Sequence, residues 1–179
     1  RRRDFLRTTV GAAATLSAAT HLRAQGANDA IRVAFIGMGS KVKMINQLLA
    51  GVHIAASAEA MALGIRAGVD PNVLYEVICN SAGSSWMFQN RVPHILAGDY
   101  TPLSAVNIFI KDLGIVVDSA RKNVFPVPLT STAHQMFMLA GARGHGMEDD
   151  SAVVKVFQAL SGIPLPEKRR STKPRTAAK

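Results

Sequence analysis

The segment from residue 41 to residue 67 limits this chain more than any other. Beyond the two lysines that open it, the run is apolar on every side, broken only by Asn46, Gln47, His53, Ser57, Glu59 and Arg66. Gly68 and Pro71 close it, since glycine ends helices and proline cannot continue one. A helix of this length would reach across a bilayer. Glu59 and His53 would then lie near mid-membrane at a cost of a few kcal/mol. A helix apolar all round is better explained as the central, buried helix of a bundle.

The rest of the body supplies helices to surround it. Pro71–Asn80 reads as a short helix with Asp70 as N-cap and Pro71 in its first position. Ser84–Ala97 reads as another, and Gly98–Pro102 as a loop. Ser104–Lys122 is strongly amphipathic, with a stripe of Val106, Phe109, Ile110, Leu113, Val116, Val117 and Ala120. Phe125–Pro128 is a rigid connector. Thr130–Ala142 is a Met-rich helix, Gly144–Gly146 a turn, and Glu148–Leu160 a final helix with acids in its first turn. The expected class is therefore mainly α, a helical bundle over 41–160 around one long central helix. Residues 161–179 read as a basic, disordered tail, loose from 167 at the latest.

The net charge of +9 invites a nucleic-acid reading. The excess sits at the two ends. Residues 1–32 hold six arginines against Asp4 and Asp29, and residues 167–179 hold six bases against Glu167. The body between them is balanced, whereas a folded nucleic-acid reader carries its basic patch on the body. No nucleic-acid partner is expected. Cys79 is the one cysteine, so no intrachain disulfide is possible. The five histidines show no metal-ligand spacing, and no metal is expected.

The front end has a different character. Arg2-Arg3-Asp4-Phe5-Leu6-Arg7 fits a twin-arginine pattern, followed by an Ala-rich apolar stretch and by small residues at Ala24–Ala27. This is the three-part layout of an export signal, too mild for a stable membrane anchor. Residues 1–29 are read as that signal, which would place the protein in the periplasm; without a working signal it would be cytoplasmic. Residues 30–36 form a strand-like run that enters Gly37-Met38-Gly39-Ser40. A β-branched strand followed by Gly-x-Gly opens a Rossmann fold, whose glycines admit a pyrophosphate to the backbone. Val42 stands where a third glycine belongs, and no acidic residue follows at the end of a second strand. Residues 30–40 are read as a remnant of a dinucleotide-binding domain.

Two lysines attract attention as chemistry. Lys43 lies near the start of the long helix, with Asn46 three residues on along the same face. Lys111 shares a polar strip with Asn107 and Asp118, opposite the apolar stripe. A poorly solvated lysine can serve as acid or base. A lysine snorkelling from a solvated face fits the same spacing.

These residues carry a family resemblance. Lys43-Met44-Ile45-Asn46-Gln47, after the Gly-x-Gly-x-x-x of Gly37–Val42, resembles the K-x-x-N(N) motif of the β-hydroxyacid dehydrogenases. That family includes 3-hydroxyisobutyrate dehydrogenase, tartronate semialdehyde reductase and L-threonate dehydrogenase. Phe109–Leu113 is similar to its Lys-Asp motif, Pro126-x-Pro128 to its helix connector, and Glu148–Val153 to its closing D-x-SA signature. The motifs fall in family order over 37–160, and the wording of Gln47–Ala55 and Ser85–Phe88 is similar to the L-threonate dehydrogenase branch. The resemblance implies a helical domain like the C-terminal domain of 6-phosphogluconate dehydrogenase, with a residual Rossmann strand ahead of it. It implies NAD or NADP as cofactor, a small hydroxy acid as substrate, hydride transfer as reaction, and a homo-oligomer. Lys43 would be the general acid/base, Asn46 the substrate contact, and Lys111, Gly37 and Gly39 the cofactor contacts. The family often has a second Asn where this chain has Gln47.

A dinucleotide-binding domain needs on the order of 100–150 residues, and one strand and one loop stand in for it here. The front end more resembles the secreted Gfo/Idh/MocA-type oxidoreductases. Gly37–Ser40 would serve as the phosphate loop of one family or the pre-lysine turn of the other, as at a junction of two partial genes, an internal deletion or an assembly artefact. The expected outcome is a dehydrogenase by descent with an incomplete site and no turnover alone. The alternative is a non-catalytic helical dimerisation or interaction module, with an exported binding protein as a third reading.

Overall fold

The computed structural model describes residues 39–168. The signal-like segment, the strand-like run at 30–36, Gly37 and the end of the basic tail lie outside the described residues. In chain order the helices are α1 (Gly39–Arg66), α2 (Pro71–Cys79), α3 (Trp86–Ala97), α4 (Val106–Lys122) and α5 (Pro128–Ala140). A single π turn, Gly141–His145, and a 3₁₀ turn, Asp150–Val153, lead to α6 (Val154–Ser161). Among the described residues there is no strand; one isolated antiparallel bridge pairs Ala105 with Asp149.

The helix starts follow the local chemistry. Asp70 Oδ1 accepts from the amides of Asn72 at 2.8 Å and Val73 at 3.1 Å, and these bonds hold its carboxyl below the ordinary range. Ser85 caps α3 through the Phe88 amide at 3.0 Å. Pro93 sits inside α3 and cannot donate to the carbonyl of Gln89. The Tyr75 hydroxyl of α2 donates to that carbonyl instead, at 3.1 Å.

The core forms where α1, α4, α5 and the start of α6 meet. Ile54, Phe109, Leu113, Phe137, Val153, Val154 and Val156 are buried there, with the Phe109 and Phe137 rings stacked at 5.2 Å. The expected stripe of α4 is the face that packs. A smaller cluster of Met61, Phe88 and Val92 joins the second half of α1 to α2 and α3.

Three expectations need correction. The long helix is central over only part of its length: its buried residues run from Gly51 to Ala62, and its first three turns have none. The final helix does not begin at Glu148. Asp149 caps a 3₁₀ turn, with Oδ1 accepting from the Ser151 amide and hydroxyl at 3.1 and 2.6 Å and Oδ2 from the Leu103 amide at 3.1 Å. Asp150 turns inward to an ion pair with Arg91 Nε of α3 at 2.7 Å. The acids expected to complement a helix dipole thus clasp the 100–105 loop and α3 to the body. Burial raises the Asp150 carboxyl to about 6, against the pull of the Arg91 charge.

The third correction concerns the beginning of the tail. Gly162–Lys168 has no regular structure but is not loose, because Ile163 is buried to 2 % exposure and Lys168 pairs with Asp99 at 3.0 Å. Gly98 is required beneath it. Its φ is +59°, and a Cβ there would stand 2.5 Å from the Lys168 amide nitrogen.

Candidate active-site face

The approach of α1 to α4 is set by Gly51. A Cβ at that position would stand 2.8 and 2.9 Å from the Leu113 methyls and 3.0 Å from the Phe109 ring. One helical turn before Gly51, the same face of α1 carries Gln47, and the turn of α4 beside it carries Lys111 and Asp112. Close packing at the glycine therefore brings two polar segments together, although they are distant in sequence.

The contact is a chain of four side chains. Asn46 Nδ2 donates to Gln47 Oε1 at 3.2 Å, and Gln47 Nε2 donates to Asp112 Oδ2 at 2.8 Å. The other oxygen of Asp112 holds the Lys111 ammonium at 3.1 Å. Lys111 is two-thirds exposed, at 67 %, while Asp112 is largely covered, at 15 %. Lys43 lies one turn before Asn46 on an exposed stretch of α1, and Gly39, exposed with φ +66°, opens the helix. Gly37 lies outside the described residues.

The structure thus links Asn46 to Lys111 and places Lys43 on the same helical face as Asn46. The expected strip of Asn107, Lys111 and Asp118 is exposed, but it is not one assembly. Asp118 pairs with Arg121 at 2.6 Å, and Asn107 lies against Gly146 and Met147. Sequence reasoning passed over Asp112 as a working residue and left Gln47 without a partner. Each follows its motif residue directly, but that adjacency does not report that the two helices meet.

A second polar cluster lies at the α5–α6 end of the body. Glu148 accepts from Lys155 and pairs with His145 at 3.1 Å, and the Lys155 ammonium stands 4.2 Å over the Tyr100 ring. Burial works to raise the Glu148 carboxyl, but its bonds to Lys155 and His145 outweigh that and hold it low. Burial and the Glu148 charge push the Tyr100 phenol up to about 12. The cluster's charges compensate each other.

A family model described as the NAD-binding domain of NADP-dependent 3-hydroxyisobutyrate dehydrogenase matches residues 37–157, well over half of the chain. The chain belongs to that dehydrogenase family. The 3-hydroxyisobutyrate dehydrogenase match covers every member of the strip from Gly39 to Asp112 and all of the clasp from Asp149 to Ser151.

The L-threonate dehydrogenase of Cupriavidus necator is 71 % identical over 132 residues, which is 74 % of this chain and 43 % of that protein. The mitochondrial 3-hydroxyisobutyrate dehydrogenase of Bos taurus is 36 % identical over 132 residues, 70 % of this chain and 38 % of that protein. A solved 3-hydroxyisobutyrate dehydrogenase from Salmonella typhimurium superposes with a TM-score of 0.66 at 61 % identity, over 67 % of this chain and 42 % of that one. The chain spans less than half the length of these curated relatives. The family's helical domain is therefore the part in hand.

Proposed function

We propose that this chain contributes the helical half of an NAD(P)-dependent hydroxyacid dehydrogenase acting on a small polyhydroxy acid of the L-threonate type. The observation that carries this reading is the side-chain chain from Asn46 through Gln47 and Asp112 to Lys111, on an exposed face beside Lys43. In the oxidation direction Lys43 takes the hydroxyl proton as the carbon gives up its hydride, and in reduction it returns that proton. Asn46 orients the substrate. A nicotinamide dinucleotide supplies the hydride acceptor when bound.

The residues present suit that cofactor. Lys111 keeps an exposed cationic end that an anionic dinucleotide can meet. Among the described residues nothing lies within 4 Å of where a Cβ of Gly39 would stand, and the free amides that open α1 are the kind of group a phosphate meets. Gly37 is proposed as a further cofactor contact.

The Arg2–Ala27 pattern supports export to the periplasm, with cytoplasmic residence if the signal does not function. The exposed apolar side chains flanking the strip, Ile45, Leu49, Ile108 and Ile115, support a homo-oligomer. Light scattering of the chain at micromolar concentration is expected to show association, and a clean monomer contradicts it.

The catalytic reading is tested by joining a relative's dinucleotide-binding domain ahead of Gly37. The joined protein is expected to oxidise threonate-like acids with NAD or NADP. The 179-residue chain, measured alongside, is expected to show no turnover. A folded, cofactor-binding joined protein that oxidises no hydroxy acid contradicts the proposal.

A further inference from the structure

We propose that Gln47 is a positioning residue that fixes the polarity of the Asn46 amide, so that Asn46 meets the substrate with its carbonyl oxygen and accepts a hydrogen bond from a hydroxyl beside the reacting one. The inference rests on the reading of Asn46 as a substrate contact, and it follows from which groups can donate.

Both oxygens of Asp112 are taken by N–H donors, Lys111 Nζ at Oδ1 and Gln47 Nε2 at Oδ2. A carboxylate facing a donor on each oxygen accepts on both. Gln47 must therefore turn its amino end to α4, which sends its carbonyl toward Asn46. An amide carbonyl only accepts, so Asn46 must offer Nδ2 there, as the 3.2 Å contact shows. Its Oδ1 is then the end left for a ligand. An amide alone can present either end with similar ease. The run of bonds beginning at Asp112 removes that freedom, and Asn46 becomes a reader of hydroxyl donors. A 2,3-dihydroxy acid satisfies it, while an acid bearing hydrogen or a methyl ether at the neighbouring carbon leaves Oδ1 desolvated and unpaired.

The length of the Gln47 side chain matters to this arrangement. Asparagine is shorter by one carbon–carbon bond, about 1.5 Å. Its amide would fall short of Asp112, now 2.8 Å away, and outside hydrogen-bonding range. The polarity lock is therefore a property of chains with glutamine at this position.

The first test needs no activity. In the ¹⁵N-labelled 179-residue chain, the side-chain amide resonances of Asn46 are followed in Asp112→Asn and Gln47→Asn, with the melting temperature as a check on folding. Asp112 does not bond to Asn46 directly, so a purely local structural role would leave those resonances in place. The expected result is a shift of the Asn46 amide signals in both variants. Unmoved Asn46 signals in folded variants overturn the lock.

The second test uses the joined enzyme, with 2,3-dihydroxypropanoate and 3-hydroxypropanoate as substrates. The dihydroxy acid is expected to be preferred by about five- to tenfold in kcat/KM, the worth of one ordinary hydrogen bond. Gln47→Met is expected to erase most of that preference through the KM of the dihydroxy acid. Turnover with the preference intact in Gln47→Met overturns this inference alone. No turnover of either acid by the unsubstituted joined enzyme overturns the dehydrogenase reading and this inference with it.

Discussion

The two halves of α1 are both rich in apolar residues and meet opposite fates. From Gly51 to Ala62 the helix buries Ile54, Ala55, Ala58, Met61 and Ala62 against its neighbours. Over the first three turns nothing is buried, and Ile45 and Leu49 are each 51 % exposed. Polar residues follow the same division. Ser57 in the buried half turns its hydroxyl back on the His53 carbonyl at 2.6 Å, as a serine does when its role is to be satisfied. In the exposed half Gln47 bonds outward to Asp112 of α4, and Asn46 bonds to Gln47. Apolar content therefore measures how much a helix can bury; the packing of other elements decides how much it does. The second half of α1 builds the body, and the first half leaves its lysines, its amides and its apolar side chains uncovered.

The comparison is sharpened first by loosening the body itself. Arg91→Met leaves Asp150 buried with no counter-charge and should cost about 3–5 kcal/mol in urea unfolding. Replacing both partners with apolar residues should recover most of that loss. A small effect of the single variant would show that the clasp is not what fixes the end of the body.

Next comes a direct contrast within α1. Ile54→Ala should cost about 2–5 kcal/mol, as a large-to-small change in a packed core does. Leu49→Ala should fall within about 0.5 kcal/mol, as at an exposed site. Equal costs at the two positions would break the division between the halves.

A weaker effect is expected from pH. The folded-state value of Asp150, about 6, lies above the ordinary aspartate value, so the fold holds that proton more tightly than the unfolded chain does. Its contribution to stability is fully present below the unfolded value and is lost as pH rises through about 6. Asp99 runs the other way, held at about 2 by its bonds to Thr101 and Lys168, and its contribution is lost as pH falls toward that value. The melting temperature should thus rise from pH 7 to about pH 5 and fall at stronger acidity. A profile that falls steadily from pH 7 downward would contradict the assignment of Asp150.

Much of this was legible in the sequence. The cap Asp70, the stripe of α4 and the extent of most helices follow from local rules that hold whatever surrounds them; Ser85 was read inside its helix and is its cap. The clasp was not legible, because an acid in a first helical turn has a sufficient local explanation in the helix dipole, and only tertiary structure brings Arg91 to it. Ile163 was lost in a basic, Pro-rich stretch whose composition outweighed its one buried anchor. At the candidate site, Lys43, Asn46 and Lys111 were singled out through their motifs. Their connection through Gln47 and Asp112 depends on how closely Gly51 lets two helices approach, and no spacing along one helix reports that.

The central claim is that the exposed half of α1 carries the acid/base of a hydroxyacid dehydrogenase, and Lys43→Ala in the joined enzyme tests it most directly. Steady-state oxidation of a threonate-like acid should show kcat lowered by roughly 10²–10⁴, the range for a positioned acid/base, with a smaller change in the KM of the acid. Lys111→Ala, measured alongside, should act on the KM of the nicotinamide cofactor as well as on turnover. An active enzyme indifferent to Lys43→Ala would contradict the claim.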